Sequence, residues 1–170
     1  AEVTPLTAVR LGELALEAGL PEGLFQVLTG SGSELGWRFV THEGIGKVCF
    51  TGSTEVGTAI MAGCAEQVKR VTLELGGKSA NVVFADADVD LAAARAPYGV
   101  FDNAGQDCCA RSRILVQRSA YDRFMEGLER AVAGVVVGDP ADEASEMGPL
   151  ITAAHREQVA SYVPDDAPVA

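Results

Sequence analysis

The sequence predicts an α/β fold built on parallel strands, and three observations carry that prediction. Short apolar runs alternate with segments whose apolar residues recur at helical spacing. Their order, strand, helix, strand, helix, strand, is that of a parallel sheet with crossover connections. Gly76-Gly77 then interrupts the alternation and frees the chain to change direction, so a domain boundary is expected there.

The elements follow in order. Thr4 is placed to cap a helix with Pro5 at its first position; Leu11, Leu14, Ala15 and Ala18 give it an apolar stripe and Gly19 closes it. Leu24 to Leu28 reads as a buried strand, Ser33 to about His42 as a short helix, and Lys47 to Thr51 as a second strand. After Ser53, Val56, Ala59, Ile60 and Gly63 form one helical face, and Arg70 to Leu75 is a further strand. Beyond the glycines come a short strand, Asn81 to Phe84, and a helix from about Val89 toward Gly105 that Pro97 should kink or end. Arg113 to Gln117 reads as a strand, and Ser119 is placed to cap a helix with Tyr121, Met125, Leu128 and Val132 on one side. Gly138 to Pro149 is a turn-rich loop, and neither an internal repeat nor a low-complexity segment is found.

Composition narrows the function classes. The 170 residues hold 13 Lys plus Arg against 24 Asp plus Glu, a formal net charge of −11 that repels phosphate backbones and anionic membranes. Nucleic acid and membrane partners are therefore not expected. No run approaches the roughly 18 apolar residues of a spanning helix, and no basic-then-apolar leader is seen, so a soluble cytoplasmic protein is expected. The four cysteines, Cys49, Cys64, Cys108 and Cys109, lack the spacing of a disulfide-stapled fold and, with only His42 and His155, the spacing of a tetrahedral zinc site. No metal is expected.

Three segments carry candidate chemistry. Phe50-Thr51-Gly52-Ser53-Thr54-Glu55-Val56-Gly57 passes from strand to helix, where free N–H groups and the helix dipole suit a phosphate, although the same residues serve plain turn geometry and capping and depart from G-x-G-x-x-G. Cys108, after Gly105-Gln106-Asp107, is a candidate nucleophile, with Cys109 in competition and a small buried thiol as the alternative. Glu74 closes an otherwise apolar strand. Buried there, its pKa would rise toward the range of a general base; at an edge it would simply face water.

Taken together and in this order, the segments resemble the aldehyde dehydrogenase superfamily over nearly the whole chain. Phe50 to Gly57 is similar to its cofactor turn, Leu73-Glu74-Leu75-Gly76-Gly77-Lys78-Ser79 to its glutamate signature, and Gly105-Gln106-Asp107-Cys108 to its cysteine signature. The 34 positions between Glu74 and Cys108 also agree with the family's separation. The resemblance implies a partial Rossmann-like parallel sheet, the second half of an NAD(P)-binding domain, over residues 1 to 76, followed by the first part of an α/β catalytic domain over residues 77 to 170.

It further implies that Cys108 attacks the aldehyde, that hydride passes to NAD, with NADP the alternative, and that Glu74 activates the water that hydrolyses the resulting thioester. Cys109 falls one position past the nucleophile. Gly52 and Ser53 would meet the pyrophosphate, Glu2 the adenosine ribose, Gly32 the adenine end, and Leu75 the cofactor alongside Glu74. A carboxylate at Glu2 favours NAD by repelling a 2′-phosphate, and Glu74 favours a carboxylic acid product over an acyl thioester. Asn103-Ala104-Gly105-Gln106 leans toward the betaine-aldehyde and amino-aldehyde relatives. Ala80, Asp107 and Arg111 depart from the commoner choices. The family's lysine before this segment, its oxyanion asparagine and its second glutamate are missing, so an internal fragment of a homodimeric or homotetrameric parent is expected, inactive by itself. The competing reading is a catalytically silent binding or assembly piece.

Overall fold

The computed structural model describes residues 2–164 and 167, in two compact units, Ala1–Leu75 and Gly76–Ala170. The first holds helix α1 (Leu6–Glu17), helix α2 (Gly32–Thr41), strand β1 (Lys47–Gly52), helix α3 (Thr54–Ala65) and strand β2 (Arg70–Leu75). β1 and β2 pair in parallel, Lys47 opposite Arg70 through Gly52 opposite Leu75, with α3 as the crossover. Alternation decides which face is covered. Val48, Phe50, Val71 and Leu73 pack against the buried Val40, Ile60 and Cys64 of α2 and α3, while Lys47, Cys49, Thr51, Arg70, Thr72 and Glu74 are exposed.

Four expectations for this unit need correction. The N-cap of α1 is Pro5, which offers no side-chain cap bond, so Thr4 does not cap the helix. No residue of α1 is buried, and Leu11 and Leu14 are exposed; the expected stripe is uncovered in this unit. Leu24 to Leu28 forms no strand: Gly23 turns with positive φ, Gln26 Nε2 donates back to the Gly23 carbonyl, and the run finds no ladder partner among the described residues. An apolar run alone does not make a strand without a neighbour to satisfy its backbone. In α3 the buried positions are Gly57, Ile60 and Cys64, not Val56 and Ala59, so the covered face is turned relative to the expected one.

The second unit holds strand β3 (Ala80–Val83), helix α4 (Val89–Arg95), strand β4 (Arg113–Val116), helix α5 (Tyr121–Ala133) and helix α6 (Ala153–Ala160), with short 3-10 turns at Pro97–Gly99, Asp102–Gly105 and Arg118–Ala120. β3 and β4 are parallel, Ala80 opposite Arg113 through Val83 opposite Val116. α4 and α5 share a core of Val83, Val89, Ala93, Ala96, Ala120 and Phe124, bordered by Ile114, Val116, Met125 and Leu128. Asp88 caps α4 by accepting from Leu91 N at 3.1 Å, and Thr152 caps α6 by accepting from His155 N at 3.1 Å.

Two further corrections apply here. Ser119 lies inside a 3-10 turn, and α5 has Ala120 at its N-cap without a side-chain cap bond. The fully buried side chain of α5 is Phe124, whereas Tyr121 and Val132 are exposed at the margins of the apolar face. The loop expected from Gly138 to Pro149 contains no regular element beyond a bridge between Val137 and Met147, and Glu146 pins it by accepting from Val136 N and from the Tyr98 hydroxyl, both at 2.9 Å. Among the described residues no helix is long and apolar enough to cross a membrane.

Candidate active site

In the first unit, β1 delivers Gly52 and Ser53 to the start of α3. A Cβ on Gly52 would drive into the Phe50 ring two residues earlier, so a larger residue here would have to displace that ring. Ser53 is the N-cap: its Oγ accepts from Val56 N at 3.3 Å and its carbonyl from Gly57 N at 3.0 Å. The hydroxyl keeps its own proton for an acceptor outside the helix. The N–H groups of Thr54 and Glu55 have no intrahelical acceptor by helix geometry, and they stand at the positive end of the dipole. The segment is thus a capped turn, and the donors it leaves free are of the kind that can face an anion.

β2 ends beside this turn, with Glu74 opposite Thr51 and Leu75 opposite Gly52. The Leu75 side chain lies under the first turn of α3, where a Cβ on Gly57 would come within 2.7 Å of Leu75 Cδ2. Glu74 points the other way and is exposed, so the buried carboxylate entertained from the sequence is not found in this unit. Elsewhere in the unit, Glu2 and Gly32 meet directly: Glu2 Oε1 accepts from Gly32 N at 2.5 Å, placing a carboxylate at the positive end of α2.

The second unit carries Cys108, and its approach is not the helical stretch expected from the sequence. α4 ends at Arg95, Pro97 begins a 3-10 turn, and Asn103, Ala104 and Gly105 follow with φ of 52, 57 and 77°. Three consecutive left-handed residues, two of them not glycine, cost of order 1–2 kcal/mol at a residue such as alanine. Reciprocal bonds hold the turn: Asn103 Nδ2 donates to the Gln106 carbonyl at 3.2 Å and Gln106 Nε2 to the Asn103 carbonyl at 3.0 Å. Ala110, buried, and Arg111, whose N–H donates to the Gly99 carbonyl at 3.0 Å, anchor the far side.

Between these anchors the two neighbouring thiols differ. Cys109 donates its Sγ proton to Asp107, 3.1 Å from Oδ1 and 3.4 Å from Oδ2, and its N–H to Oδ1 at 3.1 Å. That hydrogen bond and the adjacent negative charge push the Cys109 thiol above its usual range; the same bonds hold the Asp107 carboxyl below its own. Cys108 is exposed, and among the described residues its thiol makes no hydrogen bond. Gly77 runs alongside it, where a Cβ would sit 3.6 Å from the Cys108 carbonyl oxygen. The structure therefore brings together Glu2 with Gly32, and Gly52 and Ser53 with Leu75. Glu74 belongs to one unit and Cys108 to the other.

Asp107 is the residue of this loop whose contacts the sequence reading undervalued. A carboxylate two residues before a donor is the Asx-turn spacing, and that signal was present in Asp107-Cys108-Cys109. Beside this loop, Phe101, Ala104, Gly105, Val137, Met147 and Arg156 border a cleft of about 550 Å³ that no motif announced.

The model of the aldehyde dehydrogenase family matches residues 1–167. Betaine aldehyde dehydrogenase 2 of Rhizobium meliloti (strain 1021) is 45% identical over 162 residues, which are 95% of this chain and 34% of that protein. Betaine aldehyde dehydrogenase of Brucella ovis is 47% identical over 162 residues, 95% of this chain and 33% of that protein. Among solved structures, an NAD-dependent aldehyde dehydrogenase from Sinorhizobium meliloti superposes with a TM-score of 0.93 at 48% identity, covering 95% of this chain and 32% of that one. A betaine aldehyde dehydrogenase from Staphylococcus aureus in complex with NAD+ gives 0.90 at 43% identity, covering 95% and 32%. The chain thus spans about a third of the length of the relatives it matches.

Proposed function

The chain belongs to the aldehyde dehydrogenase family, and on that premise we propose that it carries the nucleophile, the base and part of the dinucleotide site of an NAD-dependent enzyme that oxidises an aldehyde to a carboxylic acid. The observation that carries this reading is the asymmetry of the two thiols: Cys109 is tied to Asp107 while Cys108 stands exposed in the signature loop.

In this reading Cys108 Sγ adds to the aldehyde carbon, and the Cys108 N–H is aimed at the oxygen that becomes negative. NAD, when bound, supplies the hydride acceptor. Loss of hydride leaves a thioester on Cys108, and Glu74 takes a proton from the water that attacks it, releasing the carboxylic acid and the thiol. Residues 1 to 76 serve the cofactor and residues 77 to 170 the substrate side. The donor set fits a dinucleotide: Ser53 Oγ–H and the first N–H groups of α3, beside Gly52 and the Leu75 strand end, would hold its pyrophosphate, while Glu2 and Gly32, which meet directly, would hold its adenosine end, with Glu2 favouring NAD. The 43–48% identity to betaine aldehyde dehydrogenases and an NAD-dependent relative supports betaine aldehyde or a related cationic amino-aldehyde as substrate.

The coverage of a third of those relatives favours a second reading for these 170 residues alone, a piece that binds or assembles without turning over. The test is aldehyde-dependent NADH formation by the complete protein, with the acyl group mapped to a peptide. Acylation at Cys108 is expected; acylation at another cysteine overturns the assignment. Titration of NAD into the isolated chain decides the second reading, and micromolar binding with repeated turnover would exclude it.

A further inference from the structure

We propose that Asp107, Cys108 and Cys109 form a capture site for a thiophilic divalent cation, zinc or cadmium. The three side chains bring one carboxylate oxygen and two sulfurs within 4.8 Å of one another, all exposed on one short loop. Sequence spacing had argued against zinc because the histidines lie far away and the cysteines are adjacent. The loop changes that by turning Asp107 onto Cys109 as a third donor.

The geometry agrees with the size of such an ion. A tetrahedral zinc with bonds of about 2.3 Å to sulfur and about 2.0 Å to oxygen separates those atoms by about 3.5 Å. Cys109 Sγ lies 3.1 and 3.4 Å from the two Asp107 oxygens, so the pair needs to open by only a few tenths of an ångström. The cation takes the place of the shared proton: M²⁺ binds two thiolates and one carboxylate, two thiol protons leave to solvent, and water fills the open fourth position. Three negative ligands on a dication suit zinc or cadmium far better than magnesium or calcium, which select oxygen donors. Asn103, Gln106, Ala110 and Arg111 fix the loop on both sides, so the ion meets a donor set already partly ordered.

The consequence for catalysis rests on the nucleophile role proposed above; the binding itself does not. An ion held here occupies the Cys108 sulfur and blocks turnover until it is removed. The experiment is titration of cadmium into the full chain, stripped with chelator and kept under a non-thiol reductant, following the ultraviolet charge-transfer band of cadmium thiolate. We expect saturation at one equivalent, loss of the band in both Cys108→Ala and Cys109→Ala, and an apparent affinity at least about tenfold weaker in Asp107→Asn. Excess zinc should compete for the same site and, added alone, slow alkylation of Cys108 and Cys109, leaving Cys49 unprotected. Circular dichroism of each variant separates a lost ligand from a lost fold. An unchanged band in Cys109→Ala, or equal protection of all exposed cysteines, overturns the site. One-equivalent cadmium binding by the unsubstituted chain, together with undiminished turnover in a Cys108→Ala complete enzyme, would instead leave the site standing and remove the catalytic reading.

Discussion

The turn after β1 and the loop before β4 both offer groups to a ligand, and they do so by opposite means. At Gly52-Ser53 everything is regular: a strand ends, a serine caps, a helix begins, and the donors on offer are those that any helix start leaves unpaired. At Asn103 to Cys109 the backbone departs from regular structure through three left-handed residues and is held by side chains that bond back onto it. Binding a diffuse anion needs only oriented dipoles. Presenting one thiol while restraining its neighbour needs an irregular path, and the strain is met by Asn103, Gln106 and Asp107.

The contrast breaks if the wrong thiol does the chemistry. Cys108→Ala in the complete enzyme is expected to abolish aldehyde oxidation, a loss of at least about a thousandfold, whereas Cys109→Ala retains most of the rate. Steady-state NADH formation checks both, and near-normal turnover by the Cys108 variant would end the assignment. A smaller effect is expected at the strand that flanks the regular turn. Glu74→Gln should lower steady turnover by about 10²–10⁴-fold while still giving one burst of NADH and an acyl adduct on Cys108, because only deacylation needs the activated water. Loss of the burst as well would make Glu74 an activator of the thiol and merge the two regions into one function.

How far each region could be read from the sequence follows the same divide. β1, α3, β2, β3 and β4 were legible because alternation and helical period are enforced along many residues, and the cap at Ser53 stands where the periodic face begins. Glu74 was legible too, though undervalued as a surface position: Val71, Leu73 and Leu75 alternate with Arg70, Thr72 and Glu74, which by period two alone puts the carboxylate on the polar face. The path before Cys108 was not legible, since Asn103-Ala104 looks like ordinary helix and its left-handed turn is held by Asn103 and Gln106 side chains bonding back to the backbone, which periodicity does not report. Phe124 was missed because Tyr121 and Val132, at the rim of the same stripe, shifted the apparent centre of the face. Leu24 to Leu28 failed for a different reason, that a strand is a property of two segments and not of one.

The regular turn depends on close packing behind it, and two glycines test that. A Cβ on Gly63 would lie 2.5 Å from Val40 Cγ1 and 3.0 Å from the Trp37 ring, and Val40 is fully buried with a β-branched side chain that has little freedom to yield. Overpacking of about 1–3 kcal/mol is set against a helix propensity of about 1 kcal/mol gained by alanine, and because Val40 yields little, Gly63→Ala should destabilise by up to about 2 kcal/mol. Gly36, in α2, has nothing within 4 Å of its Cβ position. Gly36→Ala should therefore stabilise by about 0.5–1 kcal/mol. Urea midpoints of the two variants settle the sign, and equal shifts would mean that α2 and α3 do not meet at Gly63.

The smallest effect expected concerns the irregular loop and the proton between Asp107 and Cys109. Asp107 accepts from the Cys109 thiol and N–H, which holds the thiol above its ordinary range and the carboxyl below its own. The sign follows from the charge: deprotonating Cys109 puts a thiolate beside a carboxylate, so at a given pH less of Cys109 is reactive than of an ordinary thiol. Its alkylation profile in the presence of chelator is expected to rise only on the alkaline side of the ordinary thiol range. Asp107→Asn removes the negative neighbour and leaves an amide that can donate to the thiolate, so the profile should move to lower pH and the rate at neutral pH should rise several-fold. Mass-resolved labelling against Cys49 as an internal reference measures this directly, since Cys49 is exposed on the other unit and carries no such partner among the described residues. A Cys109 profile unmoved by the substitution would show that the Asp107 bond does not restrain the thiol, and the selection of Cys108 would then rest on its position in the loop and not on the suppression of its neighbour.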